Sequence, residues 1–283
     1  MKKASIIRLL ALVAALAGLW AGMTQQPPPQ DLTVEKIADD LFILVGSGGN
    51  VAVYVTGEGV ILVDDKFERN VPQIVEKVKS ITSQPIRYVL NTHHHGDHTG
   101  GNQKLIESAA EIICHENARA NIVRLSQPGP PRITFQSRTS VFLGGKEVQA
   151  VHFSRGHTDG DAVIYFPARK VVHMGDMFVS STPFVDYSAG GSGIDWSKTL
   201  TGALAIGAET VIPGHGPLMK PSDLAEWNRS FETVRSRIRD LRRQGKSKEE
   251  VAQQLKLDDL PNWKPNQFWT TRTLPGLYDE LAR

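Results

Sequence analysis

The chain of 283 residues has a single cysteine, Cys114. An intrachain disulfide is therefore excluded, and so is any zinc site built on several thiolates. Cys114 follows Ile112 and Ile113 in an apolar run, which points to a small buried side chain and not to a catalytic thiol. An excess of charge of one sign is also missing. The balance of 32 Lys and Arg against 30 Asp and Glu leaves a formal net charge of +2, so neither nucleic acid nor an acidic surface is called for as a partner. No period of about 20–50 residues repeats, which argues against a solenoid or propeller. The uninterrupted apolar run at 9–23 is shorter than the ~20 residues of a transmembrane helix. What is present is enough apolar sequence, 40% of the chain, for one sizeable core.

That short apolar run follows Lys2, Lys3 and Arg8 and leads into a polar, Pro-rich exit, the layout of a secretory signal. Residues 1–22 read as a signal peptide and 23–31 as a disordered leader. No cysteine lies near the exit, so attachment through a lipidated cysteine is out. The expectation is an exported protein, periplasmic or extracellular, with no stable membrane anchor after cleavage.

From 32 to 65, short apolar runs alternate with turns and predict a meander of antiparallel strands. Helical spacing of Val71, Ile74, Val75 and Val78 predicts a helix over 71–81, followed by a strand at 86–90. A helix at 102–108, a strand at 111–114 and a helix from Glu116 complete the first half. The second half repeats the order more loosely, with strands near 139–143, 148–153, 162–166, 170–173 and 210–212 and a helix near 196–206. Two such halves predict an α/β sandwich, two sheets face to face with helices outside. Beyond Pro221, Leu224, Trp227, Phe231, Val234, Ile238 and Leu241 mark one amphipathic helix. Gly245 ends it, and Ser247 with Glu250 forms a capping box for a second helix carrying Val251 and Leu255. The arginines at 229, 235, 237, 239, 242 and 243 interleave with acids and read as a solvated face. The expected organisation is a domain over 32–220 with a helical extension over 221–283.

Four of the nine histidines crowd into the decapeptide NTHHHGDHTG. His93 and His95, two apart, project to one side of an extended segment, and Asp97 and His98 follow a glycine where the chain can turn. One tetrahedral ion with room for substrate cannot take all four, whereas two ions can if distant residues complete their shells. Candidates lie next to glycine near strand ends: His157, Asp176 and His215. Imidazole and carboxylate donors without thiolate suit zinc, and also iron or manganese. His94 points away and reads as supporting or exposed, and His115 as the start of a helix. His152 and His173 read as hydrogen-bonded strand residues.

The ordered set of Asp64 in Leu-Val-Asp, His93-x-His95-x-Asp97-His98, His157, Asp176 and His215 resembles the metallo-β-lactamase superfamily over about 32–220. The resemblance implies that superfamily's αββα sandwich. It also implies a first metal on His93, His95 and His157, a second on Asp97, His98 and His215, and Asp176 bridging both. Asp64 becomes a supporting residue that positions the histidine loop, and Thr158, Asp159 and Asp161 would support His157 likewise.

Two zinc ions about 3.5–4 Å apart would activate a bridging hydroxide for attack on a carbonyl carbon, with Asp97 orienting it as the catalytic residue. The expected reaction is hydrolysis of a lactone, ester, thioester or amide of a small molecule. First-subclass β-lactamases carry cysteine where this chain has Asp176 and lysine where it has Val179. Aspartate at the bridging position is the pattern of glyoxalase II thioesterases and acyl-homoserine-lactone lactonases, so β-lactamase activity should be weak at best. A true β-lactamase, an iron-dependent persulfide dioxygenase and a non-catalytic zinc protein are the competing readings. The segments 46–50, as a hairpin flap, and 178–196, with Phe184, Tyr187 and a mobile Ala189-Gly190-Gly191, are the expected pocket walls. The basic start and apolar run predict a mature N-terminus after residue 17 and before residue 31, outside the cytoplasm. Mass measurement of the native protein checks this, and a cytosolic chain starting at Met1 would overturn it.

Overall fold

The computed structural model describes residues 31–261 and 263–282. The expected signal peptide and nearly all of the leader lie outside the described residues. Period-two alternation decides the architecture. In β2 (Leu41–Val45), β3 (Val51–Val55) and β4 (Val60–Val63), the side chains of Leu41, Ile43, Ala52, Tyr54, Ile61 and Val63 join one apolar cluster. Their neighbours Leu44, Val51, Val53, Val60 and Leu62 join another on the opposite face. β10 (Val163–Phe166) splits the same way: Ile164 and Phe166 meet the first cluster and Val163 a third. Strands buried on both faces need cover on both faces.

Strands β1 (Thr33–Ala38) to β7 (Ile133–Phe135) form a seven-stranded sheet in sequential order. β1 to β4 are the predicted antiparallel meander, and β5 (Ile86–Leu90), β6 (Glu111–His115) and β7 continue parallel to β4. The second sheet has the order β12 (Thr210–Ile212), β11 (Val171–His173), β10, β9 (Lys146–Val151), β8 (Arg138–Leu143). Helix α1 (Val71–Ile81) lays Val71, Ile74 and Val78 on the outer face of the first sheet. The outer face of the second is covered by α5 (Trp196–Ala205) and α6 (Pro221–Arg243). Three short helices lie between: α2 (Gly96–Thr99), α3 (Asn102–Glu107) and α4 (Glu116–Arg124). The result is the expected αββα sandwich with C-terminal helices. Among the described residues, no helix is long and apolar enough to cross a membrane.

Direction of the strands places the loops that matter. β10 is antiparallel to β9 and to β11, and β11 is parallel to β12. β9, β11 and β12 therefore run the same way and end at one edge, as the parallel pair β4 and β5 do in the other sheet.

Several sequence expectations need correction. β9 ends at Val151, so His152 lies beyond it, stacked on His115 at 4.1 Å. Leu255 caps α7 (Lys248–Gln254) from outside, because its backbone is extended. The spacing rules miss β7, which is only three residues long. They also miss a π-helical turn at Trp269–Thr273 and α8 (Leu274–Glu280), which carries Pro275 in its first turn, where proline is tolerated. Trp227, Trp263 and Trp269 pack in one cluster with the second sheet, so this tail is part of the core.

Arg235 is the clearest departure from the solvated face expected of α6. It is 4% exposed, donates to the carbonyls of Gly193 and Ile194, and reaches Ser197 Oγ at 2.9 Å. A methionine there would fill the space but leave two buried carbonyls unpaired. Arg235→Met should cost about 2–4 kcal/mol in urea unfolding, while exposed Arg229→Met should change stability by less than about 0.5 kcal/mol.

Candidate metal centre

All seven predicted donors meet at the shared edge of the two sheets. Residues 93–98 follow β5, His157 lies between β9 and β10, Asp176 follows β11, and His215 follows β12. His93, His95 and His157 form one group with donor atoms within 4.8 Å of one another, and Asp97, His98 and His215 form a second. Asp176 reaches towards both: Oδ2 is 3.7 Å from His157 Nε2, and Oδ1 is 3.2 and 3.3 Å from the Nε2 atoms of His98 and His215. Glycine makes the approach possible at two places. A Cβ on Gly214 would lie 2.0 Å from Asp176 Oδ1, and one on Gly49 would lie 2.1 Å from the His98 ring.

Each inner imidazole is turned by a bond to its outer nitrogen. His93 Nδ1 donates to Thr92 Oγ at 3.0 Å, and that hydroxyl in turn donates to Asp64 Oδ2 at 2.8 Å. His98 Nδ1 donates to the same Asp64 oxygen at 2.7 Å. His95 Nε2 donates to Asp186 Oδ2 at 3.0 Å, and His157 Nδ1 donates to the Phe184 carbonyl at 2.6 Å. An imidazole that gives its one N–H outward presents a lone pair inward, the tautomer a metal ligand needs.

Those inward atoms fit cations. His157 Nε2 and His95 Nδ1 face each other at 2.8 Å, and two lone pairs at that distance need a proton or metal ion between them. His93 Nε2 is buried with no hydrogen-bond partner, which is costly unless something positive meets it. Burial, with the charge of His95 against it, lowers His157 to about 4, and burial holds His93 well below the histidine range, so both are neutral near pH 7. In the second group, burial works to lower His215, but the Asp176 carboxylate outweighs it and holds the ring up at about 9. Burial likewise works to raise Asp97, but His98 and His215 hold it at about 2, a carboxylate throughout the neutral range.

The supporting residues are partly as expected. Asp64 positions the loop, accepting also from Thr92 N at 2.7 Å. Thr158 and Asp161 bond to each other, and Asp159 accepts from Asn121, so none of their side chains holds the His157 ring. His94 is wholly buried, contrary to an exposed reading, and neither of its ring nitrogens has a partner. The segment 46–50 is a strap more than a flap. Gly49 N donates to Asp97 O, Asn50 Nδ2 donates to Pro213 O and Gly216 O, and the buried Lys66 ammonium donates to Gly49 O. Tyr187 donates to Glu280 and faces a different cleft, and the stretch 189–191 is bonded to Asp159 and Asp186, not free. Cys114 is buried, its thiol pushed up to about 12, in keeping with the inert role.

Sequence reading missed Asp186, Lys66, Asn50 and the tail residues Asn266 and Phe268. Asp186 and Asn50 left a signal, since both lie in segments already marked as walls. A cavity of about 400 Å³ opens over His95, Asp97, His157, Asp176 and His215, walled by Val179, Ser181, Thr182, Phe184, Asn266 and Phe268.

The sequence profile of the Metallo-beta-lactamase superfamily matches residues 44–215, and the chain belongs to that superfamily. It is similar to a hydroxyacylglutathione hydrolase of Crocosphaera subtropica, 34% identical over 125 residues that cover 43% of this chain and 45% of that protein. It is also similar to a metallo-beta-lactamase type 2 of Bacillus cereus, 27% identical over 173 residues, 59% of this chain and 66% of that one. The chain thus spans about half to two thirds of the length of these curated relatives. Among solved structures, a metallo-beta-lactamase from Pontibacter korlensis superposes with a TM-score of 0.65 at 22% identity, covering 71% of this chain and 99% of that one, a likeness of fold.

The geometry separates the inward-facing donors from the residues that support them. Asp97→Ala and His157→Ala should each lose metal, read by elemental analysis, and most activity. Asp64→Ala should weaken metal binding by about 10–100-fold. His94→Ala should keep the wild-type metal content while losing about 1–3 kcal/mol of stability, because a buried ring is removed. Equal metal loss at His94 would mean the donors are wrongly assigned.

Proposed function

We propose that this protein is an exported hydrolase with two zinc ions that cleaves a carbonyl-containing bond of a small molecule, a lactone, ester or thioester in preference to a β-lactam. The observation that carries the reading is Asp176, one carboxylate directed at both donor groups. His93, His95 and His157 would hold one ion and Asp97, His98 and His215 the other. Bound there, such ions supply Lewis acidity and an activated water. Export rests on the basic and apolar N-terminal sequence.

The chain's own residues do the rest. Asp97 faces the cavity as a carboxylate, placed to accept a hydrogen bond from the attacking water and so orient it. Val179, Phe184 and Phe268 give the cavity apolar walls that exclude bulk water from the reacting carbonyl. Asp186 and the Phe184 carbonyl fix two of the rings from the same loop, so wall and donors are positioned together.

The preference against β-lactams follows from charge. A cation beside the cavity would grip the carboxylate these substrates carry next to the scissile amide. Val179 stands at the expected place, and no lysine or arginine is among the lining residues. Lys198 is paired with Asp195 at 2.7 Å. Purified protein should contain two zinc ions per chain. Its kcat/KM for lactones, esters or thioesters should exceed that for a penicillin, a cephalosporin and a carbapenem. A value of about 10⁶ M⁻¹s⁻¹ for any β-lactam would overturn the preference. One iron with oxygen uptake would overturn the hydrolase.

A further inference from the structure

The tail brings an aromatic residue and a cation to the mouth of the cavity. Phe184 stacks on the His95 ring at 5.8 Å with an interplanar angle of 19°. On its other contacts it meets Phe268 at 5.3 Å and the Arg272 guanidinium at 5.9 Å. Arg272 also lies 6.0 Å from the Phe268 ring. Phe268 is 53% exposed, an unusual setting for a phenylalanine beside a polar metal-type site. Arg272 is exposed and has no carboxylate within ion-pair distance among the described residues. Both residues flank or belong to the π-helical turn Trp269–Thr273, which is anchored beneath. Trp269 is buried in the core, and Thr273 Oγ accepts from Val185 N and donates to Pro183 O. The anchor ties the tail to the segment carrying Phe184, so the aromatic pair and the guanidinium keep their places relative to the donors.

We propose that Phe184, Phe268 and Arg272 form a substrate subsite that selects acyl compounds with an apolar chain ending in a carboxylate. The inference rests on the hydrolase reading above and names its substrate class. The carbonyl lies over the donor groups, the chain runs along the two phenylalanine rings, and the terminal carboxylate meets Arg272. The rings lose little by covering an alkyl chain and gain the burial of exposed aromatic surface. The guanidinium is already held against two ring faces, so less freedom is lost when it binds an anion. The same arrangement separates these substrates from β-lactams. A carboxylate beside the scissile amide stays within the cavity, where no lysine or arginine lines the wall, whereas one at the end of a chain reaches past the rings.

The test compares p-nitrophenyl monoesters of glutaric, adipic and suberic acids with p-nitrophenyl pentanoate, hexanoate and octanoate, using the zinc-loaded enzyme. At the best chain length the carboxylate ester should be favoured about tenfold or more in kcat/KM, chiefly through KM, as one charge-assisted hydrogen bond gives. Arg272→Gln should bring that ratio close to one, Arg272→Lys should keep part of it, and Arg272→Glu should reverse it. Lys198→Gln, on the exposed face of α5, should leave the ratio where it was. A wild-type ratio near one at every length, or a ratio that survives Arg272→Gln, overturns the subsite. If neither series is hydrolysed, the hydrolase reading fails by itself. The subsite is then decided by calorimetric binding of phenylhexanoate against phenylhexanol to the zinc-free protein. Tighter binding of the acid that Arg272→Gln abolishes supports it, and equal binding of the two overturns it.

Discussion

One buried carboxylate holds the rest of the centre in register. Asp64 leaves the end of β4 in the left-handed region, at φ 62°, and turns its side chain under the histidine loop. It accepts from Thr92 N, Thr92 Oγ and His98 Nδ1 at once. Through Thr92 it also sets His93, so one acid orients a ring in each donor group. A non-glycine residue at positive φ is strained by an amount on the order of 1–2 kcal/mol. Three hydrogen bonds in a dry site offset that strain and the desolvation of the charge. Asp65 beside it takes Gly101 N, and burial raises its carboxyl well above the usual range, so the two adjacent acids do different work.

The second half of the centre is assembled by straps that cross between the sheets. Asn50 bonds the turn carrying His215, Gly49 bonds Asp97, and buried Lys66 fixes Gly49. Burial lowers Lys66 to about 8, so its ammonium sits in a setting that depends on the acids around it. The 178–196 segment does the same for the first group, through Asp186 on His95 and the Phe184 carbonyl on His157. The tail then packs four-square on that segment through Thr273 and the tryptophan cluster. Rigidity at the donors and chemistry at the cavity mouth thus come from the same few loops.

Much of the fold was legible because it follows period. Short apolar runs bounded by turns in β2 to β4 and the three-four step of α1 and α6 mark these elements without tertiary context. The elements that escaped were short or began with residues that normally break structure: β7, the π turn and α8. Arg235 escaped for another reason. It stands at the edge of the apolar stripe, at i+4 from Phe231 and i−3 from Ile238, but its charge and the neighbouring arginines read as solvated, and the segment 193–197 closes over it.

For the centre, the kinds of candidate donor and their grouping on the 93–98 loop could be read from local pattern, because alternation and glycine positions are local properties of the chain. It also pointed to Asp64, His157, Asp176 and His215 through their strand-end settings and the superfamily resemblance. Only the tertiary structure decided which nitrogen of each imidazole faces inward, since that depends on Asp64, Asp186 and a carbonyl far away in sequence. It alone buried His94 and turned Tyr187 away from the cavity. It alone brought Phe268 and Arg272 to the cavity mouth, because a helical tail can dock in many ways, and the one adopted is chosen by the shape of the core beneath it.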